Sequence, residues 1–383
     1  MKRVIVLDYF PWEGAIHVGN HAYITRLLQD GAKVLYISMP YNLWRILRKR
    51  FDDQDLYHNW KSGPRKVVEN LWSFTPLALL PYVDLFPFNS TWVGKNFHHF
   101  TIPNFMGTVR KLGFEKPDLV WLANIRMGGL VDYLNPKKVV FRLSDNPWAF
   151  SGEPASSKVF FEDVIRSHTT IATAYKLFQE ASRFSENVYY IPNGYEPETI
   201  LSGYHLPEPE DMADIPHPRA VYVGVISHWF DLEMLCQAAT LRTDWHFILV
   251  GPAQENFLDM TVFHKLCSFP NVYYLGMKRK EMVGAYLRYC DVGIIPFVKD
   301  ELTETINPIK LYEYAACGLS IVSRNLDEVR RISENVELYD DIVGFGRGLD
   351  QALHKRDADA QQQWASQRTW DARYTQVKNI LGW

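Results

Sequence analysis

Four cysteines among 383 residues, none in a Cys-x-x-Cys pair, leave little basis for a disulfide framework or a thiolate metal site. Such usage reads as buried, reduced thiols in a reducing compartment. No apolar run approaches the roughly 18 uninterrupted residues of a membrane-spanning helix. The opening run from Val4 stops at Asp8, too early for a secretory signal core, and reads as a first buried strand. A formal net charge of only −3 does not suit a general nucleic-acid binder, which would be strongly basic. There is no His-Glu-x-x-His, no P-loop and no Gly-x-Ser-x-Gly elbow, which excludes the common metalloprotease, nucleoside triphosphatase and hydrolase readings. The expectation is a cytoplasmic protein, soluble or peripheral to a membrane, with no nucleic acid as partner.

What is present is apolar and alternating. With 47% hydrophobic and 22% charged residues, the chain can bury real cores, and its length suits two α/β domains better than one. Short apolar runs at 3–7, 34–38, 119–123, 139–143, 170–173 and 188–191 alternate with helical patterns, as in a parallel sheet covered on both faces. At 207–218 the text becomes Pro-Glu-Pro-Glu-Asp-Met-Ala-Asp-Ile-Pro-His-Pro, too rich in proline to continue a helix or central strand, and reads as an exposed linker. A second α/β series follows, with strands at 220–225, 246–250, 272–275, 292–296 and 319–323. The fold class expected is therefore α/β, with two Rossmann-like, doubly wound domains at 1–206 and 219–361. The helical tail from about 362 to 383 is expected to pack back on the first domain.

The connection after the second strand is too long for a structureless loop. Within it, Trp44, Ile46, Leu47 and Phe51 mix with Arg45, Arg48, Lys49 and Arg50. This suits docking on the anionic inner face of the cytoplasmic membrane, basic groups to headgroups and aromatics to the acyl boundary. Trp72, Leu77, Leu79, Leu80 and Trp92 would extend that surface. The competing reading is a helix whose apolar side packs on the domain.

The strongest local pattern is Asn307-Pro308-Ile309-Lys310-Leu311-Tyr312-Glu313. Asn307 can cap a helix, and Pro308 fits a first turn that needs no backbone donor. Free N–H groups at Ile309, together with the Lys310 charge, would attract a diphosphate. Glu313, one turn deeper, could accept from a ribose diol. The alternative is a surface Lys–Glu pair worth a few tenths of a kcal/mol.

The surrounding text resembles the GT-B glycosyltransferases, particularly the group 1 (GT4-like) family of teichuronic-acid and exopolysaccharide pathways. The resemblance rests on Val221-Tyr222-Val223-Gly224, Ser227-His228-Trp229-Phe230-Asp231, Phe247-Ile248-Leu249-Val250-Gly251-Pro252, Asn271-Val272-Tyr273-Tyr274-Leu275-Gly276, Asp291-Val292-Gly293-Ile294-Ile295-Pro296-Phe297 and, in the first half, Ile191-Pro192-Asn193-Gly194. It implies two domains facing each other across a cleft, a UDP-sugar donor held near Gly224, Gly251 and the 307–313 segment, and no cofactor or metal. The acceptor implied is a lipid-linked or growing saccharide. One departure is plain. Retaining members carry two glutamates, the second matching Glu313, and Thr305 stands at the place of the first. Glu304 and Asn307 are the neighbours available to replace it, and inversion and retention both stay open.

Phe141-Arg142-Leu143-Ser144-Asp145-Asn146-Pro147-Trp148 places Asp145 just past the C-terminal end of a parallel strand, where doubly wound folds carry functional groups. The segment is similar to xanthan-type glucuronosyltransferases, which implies that Asp145 deprotonates the acceptor hydroxyl. A helix cap is the alternative. Gly14, His17, Gly19 and Asn20, in the first turn, are the expected acceptor or cleft residues. Asp357-Ala358-Asp359 has the spacing of an acid-x-acid metal motif but lies in a polar helix and reads as a solvated face. Two other functions remain in view: a sugar-binding scaffold on a two-domain frame, and a UDP-sugar 2-epimerase of the same fold.

Overall fold

The computed structural model describes residues 1–383 except 15–18, 49–52, 82, 150–152 and 334. The chain divides into two compact units, residues 1–192 and 193–383.

The first unit is built on eight strands: β1 (Arg3–Asp8), β2 (Lys33–Ser38), β3 (Arg65–Val68), β4 (Leu71–Phe74), β5 (Leu119–Leu122), β6 (Lys138–Leu143), β7 (Thr169–Ala172) and β8 (Val188–Tyr190). Their order across the sheet is β8-β7-β6-β5-β1-β2-β4-β3. All pairings are parallel except the β3–β4 hairpin. Central strands covered on both faces read as unbroken apolar runs, and Val4, Ile5, Val6 and Leu7 of β1 are completely buried. Helix α1 (Gly19–Gln29) follows β1, and the five-residue α2 (Leu43–Leu47) follows β2.

The second unit has six parallel strands: β9 (Arg219–Val223), β10 (His246–Val250), β11 (Val272–Gly276), β12 (Val292–Ile295), β13 (Ser320–Arg324) and β14 (Val336–Tyr339), in the order β11-β10-β9-β12-β13-β14. The two halves wind outward from the β9–β12 pair, as they do from β1–β5 in the first unit. In open parallel sheets this reversal opens a crevice beyond the carboxyl ends of the strands.

The division at 192/193 differs from the expected boundary at 206. Helix α3 (Pro197–Tyr204) belongs to the second unit, because Gly203 lets it lie against Glu281 and Gly284. A Cβ on Gly203 would stand 2.2 Å from the Glu281 carbonyl oxygen. The 207–218 segment is not an exposed linker either. Met212 and Ile215 are buried in the second core, Asp211 accepts from Lys278 at 2.5 Å and Tyr286 at 2.7 Å, and Glu208 pairs with the buried Arg219. Proline and acid density marked the break in regular structure, while the apolar pair inside it marked the packing.

Helix α4 (Ile309–Ala316) follows β12 and lies against α5 (Ala358–Ser366), with the Tyr312 and Trp364 rings stacked at 5.5 Å. The last helix, α6 (Trp370–Leu381), is counted with the second unit. Residues just before it pair with Tyr195, and its Arg373 donates to the Asn193 carbonyl at 3.1 Å. Asp357 caps α5 by accepting from the Ala360 N–H at 3.0 Å.

Candidate active site

In the second unit, the groups expected to hold a donor gather at the β9–β12 switch point. Gly224 follows β9 and Gly251 follows β10, with φ of +140° and +137°. Both values suit glycine and strain other residues. Space demands glycine as well: a Cβ on Gly251 would lie 2.1 Å from the Gly224 oxygen, and one on Gly224 would lie 2.5 Å from Lys310 Cε. The Lys310 ammonium therefore rests directly over the bare backbone at the end of β9. It also sits 5.1 Å from the Tyr222 ring centre and 5.6 Å from that of Phe297, a partly desolvated cation on aromatic faces.

Asn307 does not cap α4. Pro308 occupies the cap position and makes no side-chain hydrogen bond. Asn307 is buried, donating to Glu328 Oε1 at 2.7 Å and accepting from the Tyr312 hydroxyl and the Asn193 N–H, both at 3.0 Å. Two partners outside the helix, Glu328 and Asn193, and the Tyr312 hydroxyl within it outcompete the local cap, and Asn307 is thus a brace for the loop. With no side-chain cap, the helix start at Ile309 and Lys310 can offer N–H groups to an anion. Glu313, one turn on, is half-buried. Burial raises its carboxyl pKa, while Lys310 and Lys280 pull it back down.

The replacements considered for the missing glutamate are occupied. Thr305 is buried and donates to the Leu302 carbonyl at 2.7 Å. Glu304 pairs with Lys299 at 3.2 Å and accepts from the Asp327 N–H at 3.2 Å, holding the start of the next helix.

In the first unit, a cavity of about 330 Å³ lies at the carboxyl ends of β1, β5 and β6. That size is within the usual range for small-ligand pockets, about 300–1,000 Å³. Apolar groups dominate its wall, Phe10, Met39, Leu56 and Ile125 among them, and Asp145, Arg126 and Glu153 supply charge. Asp145 accepts from the Ser144 hydroxyl at 3.0 Å. Its side chain reaches solvent, yet the protein enclosing the concave wall desolvates the carboxyl and raises its pKa, with Arg142 and Ser144 opposing. Capping of the following turn falls to Asn146, whose side chain accepts from the Trp148 N–H at 3.0 Å.

Beneath the cavity lies a buried polar network. Asn20 donates to Asp8 at 2.9 Å and accepts from Trp121 at 3.2 Å and Arg142 at 3.3 Å, while Tyr36 donates to Asp8. Asn20 is therefore an internal strut, not a cavity residue as expected. Gly19 is buried at the start of α1. Gly14 is buried in a turn closed by its N–H to the Pro11 carbonyl at 3.1 Å. His17 lies outside the described residues. Sequence reasoning missed Tyr9, Arg126 and Glu153, which line the cavity from the end of β1, a short 3-10 helix after β5 and the segment after β6, and share no motif. For Arg126 and Glu153 the one signal was charge in segments that follow strand ends.

The basic segment resolves in part. In α2, Leu43 and Ile46 pack inward on the cluster of Tyr41, Leu56 and Leu77, while Trp44 and Leu47 are 46% and 62% exposed. Arg45 pairs with Asp53 at 3.6 Å, and Arg48 ends the helix. Lys49 and Arg50 lie outside the described residues. Leu77 is core, and Trp72 packs on Phe114 and the first-unit core, so neither extends an outer surface; Trp92 is exposed. Among the described residues no helix is long and apolar enough to cross a membrane.

Comparison with known proteins bears on the family and the fold. Residues 217–353 match the model of the family "Glycosyl transferases group 1". TuaH of Bacillus subtilis (strain 168), assigned as a teichuronic acid biosynthesis glycosyltransferase, is 28% identical over 149 residues, spanning 39% of this chain and 37% of that protein. Across the whole chain the fold is similar to that of sucrose-phosphate synthase from Thermosynechococcus elongatus, with a TM-score of 0.74 at 13% identity, covering 100% of this chain and 98% of that one. It is also similar to that of HepE from Anabaena, solved with UDP and glucose, with a TM-score of 0.68 at 15% identity and 100% coverage of both chains. At these identities the two structures speak for the fold alone. Residues 217–353 of the second unit thus match the group 1 glycosyltransferases, and the whole chain has the GT-B architecture.

Proposed function

We propose that the chain transfers a sugar from a UDP-sugar to a lipid-linked or growing saccharide acceptor in cell-surface polysaccharide synthesis. The observation that carries the donor half is Lys310 at an uncapped helix start, lying over Gly224 at the switch point of the second sheet. A leaving diphosphate there gains a full positive charge and the helix N-terminus, both in place before the reaction. Glu313 is suited to the ribose diol. HepE, solved with UDP, supports a uridine nucleotide, and the similarity to TuaH supports a polysaccharide acceptor.

In the first unit Asp145 would take the proton of the acceptor hydroxyl as its oxygen attacks the anomeric carbon. The C–O bond to the diphosphate breaks, and the electron pair leaves with UDP. The test is UDP release from a panel of UDP-sugars, with and without saccharide acceptors. Release that needs an acceptor is expected. Turnover of the UDP-sugar alone would instead identify an epimerase or a hydrolase.

Lipid-linked acceptors keep their anchor in the bilayer, and α2 offers exposed Trp44 and Leu47 beside Arg45 and Arg48. At about 1 kcal/mol per basic residue near an anionic surface, binding should be peripheral and salt-sensitive. Co-sedimentation with anionic vesicles at low salt, lost at high salt and on changing Arg45, Arg48, Lys49 and Arg50 to Ser, is the expected result. Wild-type protein left in the supernatant at low salt would remove this surface from the account.

A further inference from the structure

The first-unit cavity contains a carboxylate whose surroundings are incomplete. Glu153 receives Arg126 Nε on Oε2 at 2.9 Å, and its side chain is only 7% exposed. Its other oxygen, Oε1, is buried and has no hydrogen-bond partner among the described residues. An acceptor atom withdrawn from water and left unpaired is costly, and native structures hold such atoms where something else completes them. Here the oxygen belongs to a residue lining a cavity of about 330 Å³, so a donor brought by a bound molecule is the missing partner.

The charge of the cavity narrows what that molecule can be. Among the described residues its ionisable lining is Tyr9, Asp53, Asp145 and Glu153 with Arg126 and Arg142, and Asp53 is itself paired with Arg45 at 3.6 Å. Both guanidiniums are already engaged: Arg126 is tied to Glu153, and Arg142 donates to Asn20 in the network below. A phosphate or carboxylate entering here would meet the Asp145 and Glu153 carboxylates, while each arginine described around the cavity already has a partner, in a partly desolvated space where such repulsion is screened poorly. Hydroxyl groups suit it, because each brings a donor and no charge. The apolar wall of Phe10, Met39, Leu56 and Ile125 offers contact to the C–H face of a sugar ring.

We propose that this cavity seats an uncharged sugar ring of the acceptor, with Glu153 Oε1 accepting one of its hydroxyls, and that the Arg126–Glu153 pair excludes phosphorylated or carboxylated rings. The inference rests on the acceptor reading of the first unit and adds the chemical class of the acceptor. Glu153 is here a specificity residue for the ring, distinct from Asp145, the proposed base.

The test reads binding directly, without turnover. Calorimetric titration compares uncharged alkyl glucosides and galactosides with the corresponding hexose 6-phosphates, on the wild-type chain and on Glu153→Gln. Wild type should bind the uncharged glycosides at least tenfold more tightly than the phosphates. Glu153→Gln keeps the shape but releases Arg126 from its counter-charge. It should therefore weaken glycoside binding and strengthen phosphate binding, shrinking the ratio at least tenfold. Equal or tighter binding of hexose phosphates by wild type overturns the inference, as does failure of both classes to bind. An unchanged ratio in a folded Glu153→Gln does so too. The wild-type comparison stands if that variant does not fold. Binding of glycosides by a chain that transfers no sugar would refute the transferase reading and leave this one, whereas transfer onto hexose phosphates would do the reverse.

Discussion

Asp145→Asn is expected to retain UDP binding and to lower turnover by roughly two decades or more, the usual cost of removing a general base. The substitution preserves size and can still accept from Ser144, which lies 3.0 Å from the Asp145 carboxylate. The cap that Asp145 was equally suited to provide is supplied by Asn146, so folding should not suffer. The pH profile is an independent readout. A base must be ionised, and desolvation lifts this carboxyl above the ordinary aspartate value of 3.8. Turnover in wild type should therefore fall as pH drops through that raised value, with the acid limb lying above 3.8, and this limb should be missing from the residual activity of Asp145→Asn. NMR of the product anomer separates mechanisms: net inversion fits a single in-line displacement, while net retention would leave Asp145 a positioning group.

Lys310→Ala and Glu313→Ala should each weaken UDP binding by about 1–3 kcal/mol, as loss of a charge-assisted contact does. That is roughly a 5- to 150-fold rise in Kd. The protein should remain folded in both cases. Lys310 lies over glycine backbone and two aromatic rings, and Glu313 is a desolvated carboxyl with a raised pKa, so neither makes a contact on which the core depends. Glu313→Ala should even gain a little stability at neutral pH. A carboxyl whose folded pKa lies above its unfolded value opposes folding wherever the unfolded chain ionises it more readily.

Much of the scaffold was legible because central parallel strands, buried on both faces, must be apolar throughout, as Val4–Leu7 and Phe247–Val250 are. The positions of the residues proposed to hold a donor were legible for the same reason, being punctuation on those strands: glycines at the ends of β9 and β10, then a Pro-led helix after β12. What misled were residues whose local preference lost to a distant partner. Asn307 has the chemistry of a cap, yet Glu328, Tyr312 and Asn193 claim its side chain. Asn20 sat in a glycine-rich turn, yet Asp8, Trp121 and Arg142 draw it inside. The 207–218 segment was read from its prolines and acids, when Met212 and Ile215 were the residues that decided its place. Arg126 and Glu153 were invisible for another reason. They meet across 27 positions of chain, from a short 3-10 helix and an irregular segment without periodicity, and only the fold brings them to one wall.

The central claim is that a uridine nucleotide sits at the switch point of the second sheet, on Lys310 and Glu313. Isothermal titration of UDP into the wild-type chain and the two variants tests it most directly. Saturable binding at a single site in wild type, weakened in both Lys310→Ala and Glu313→Ala while their unfolding transitions stay cooperative, is the result predicted. No binding of UDP, or one affinity shared by all three proteins, would contradict it.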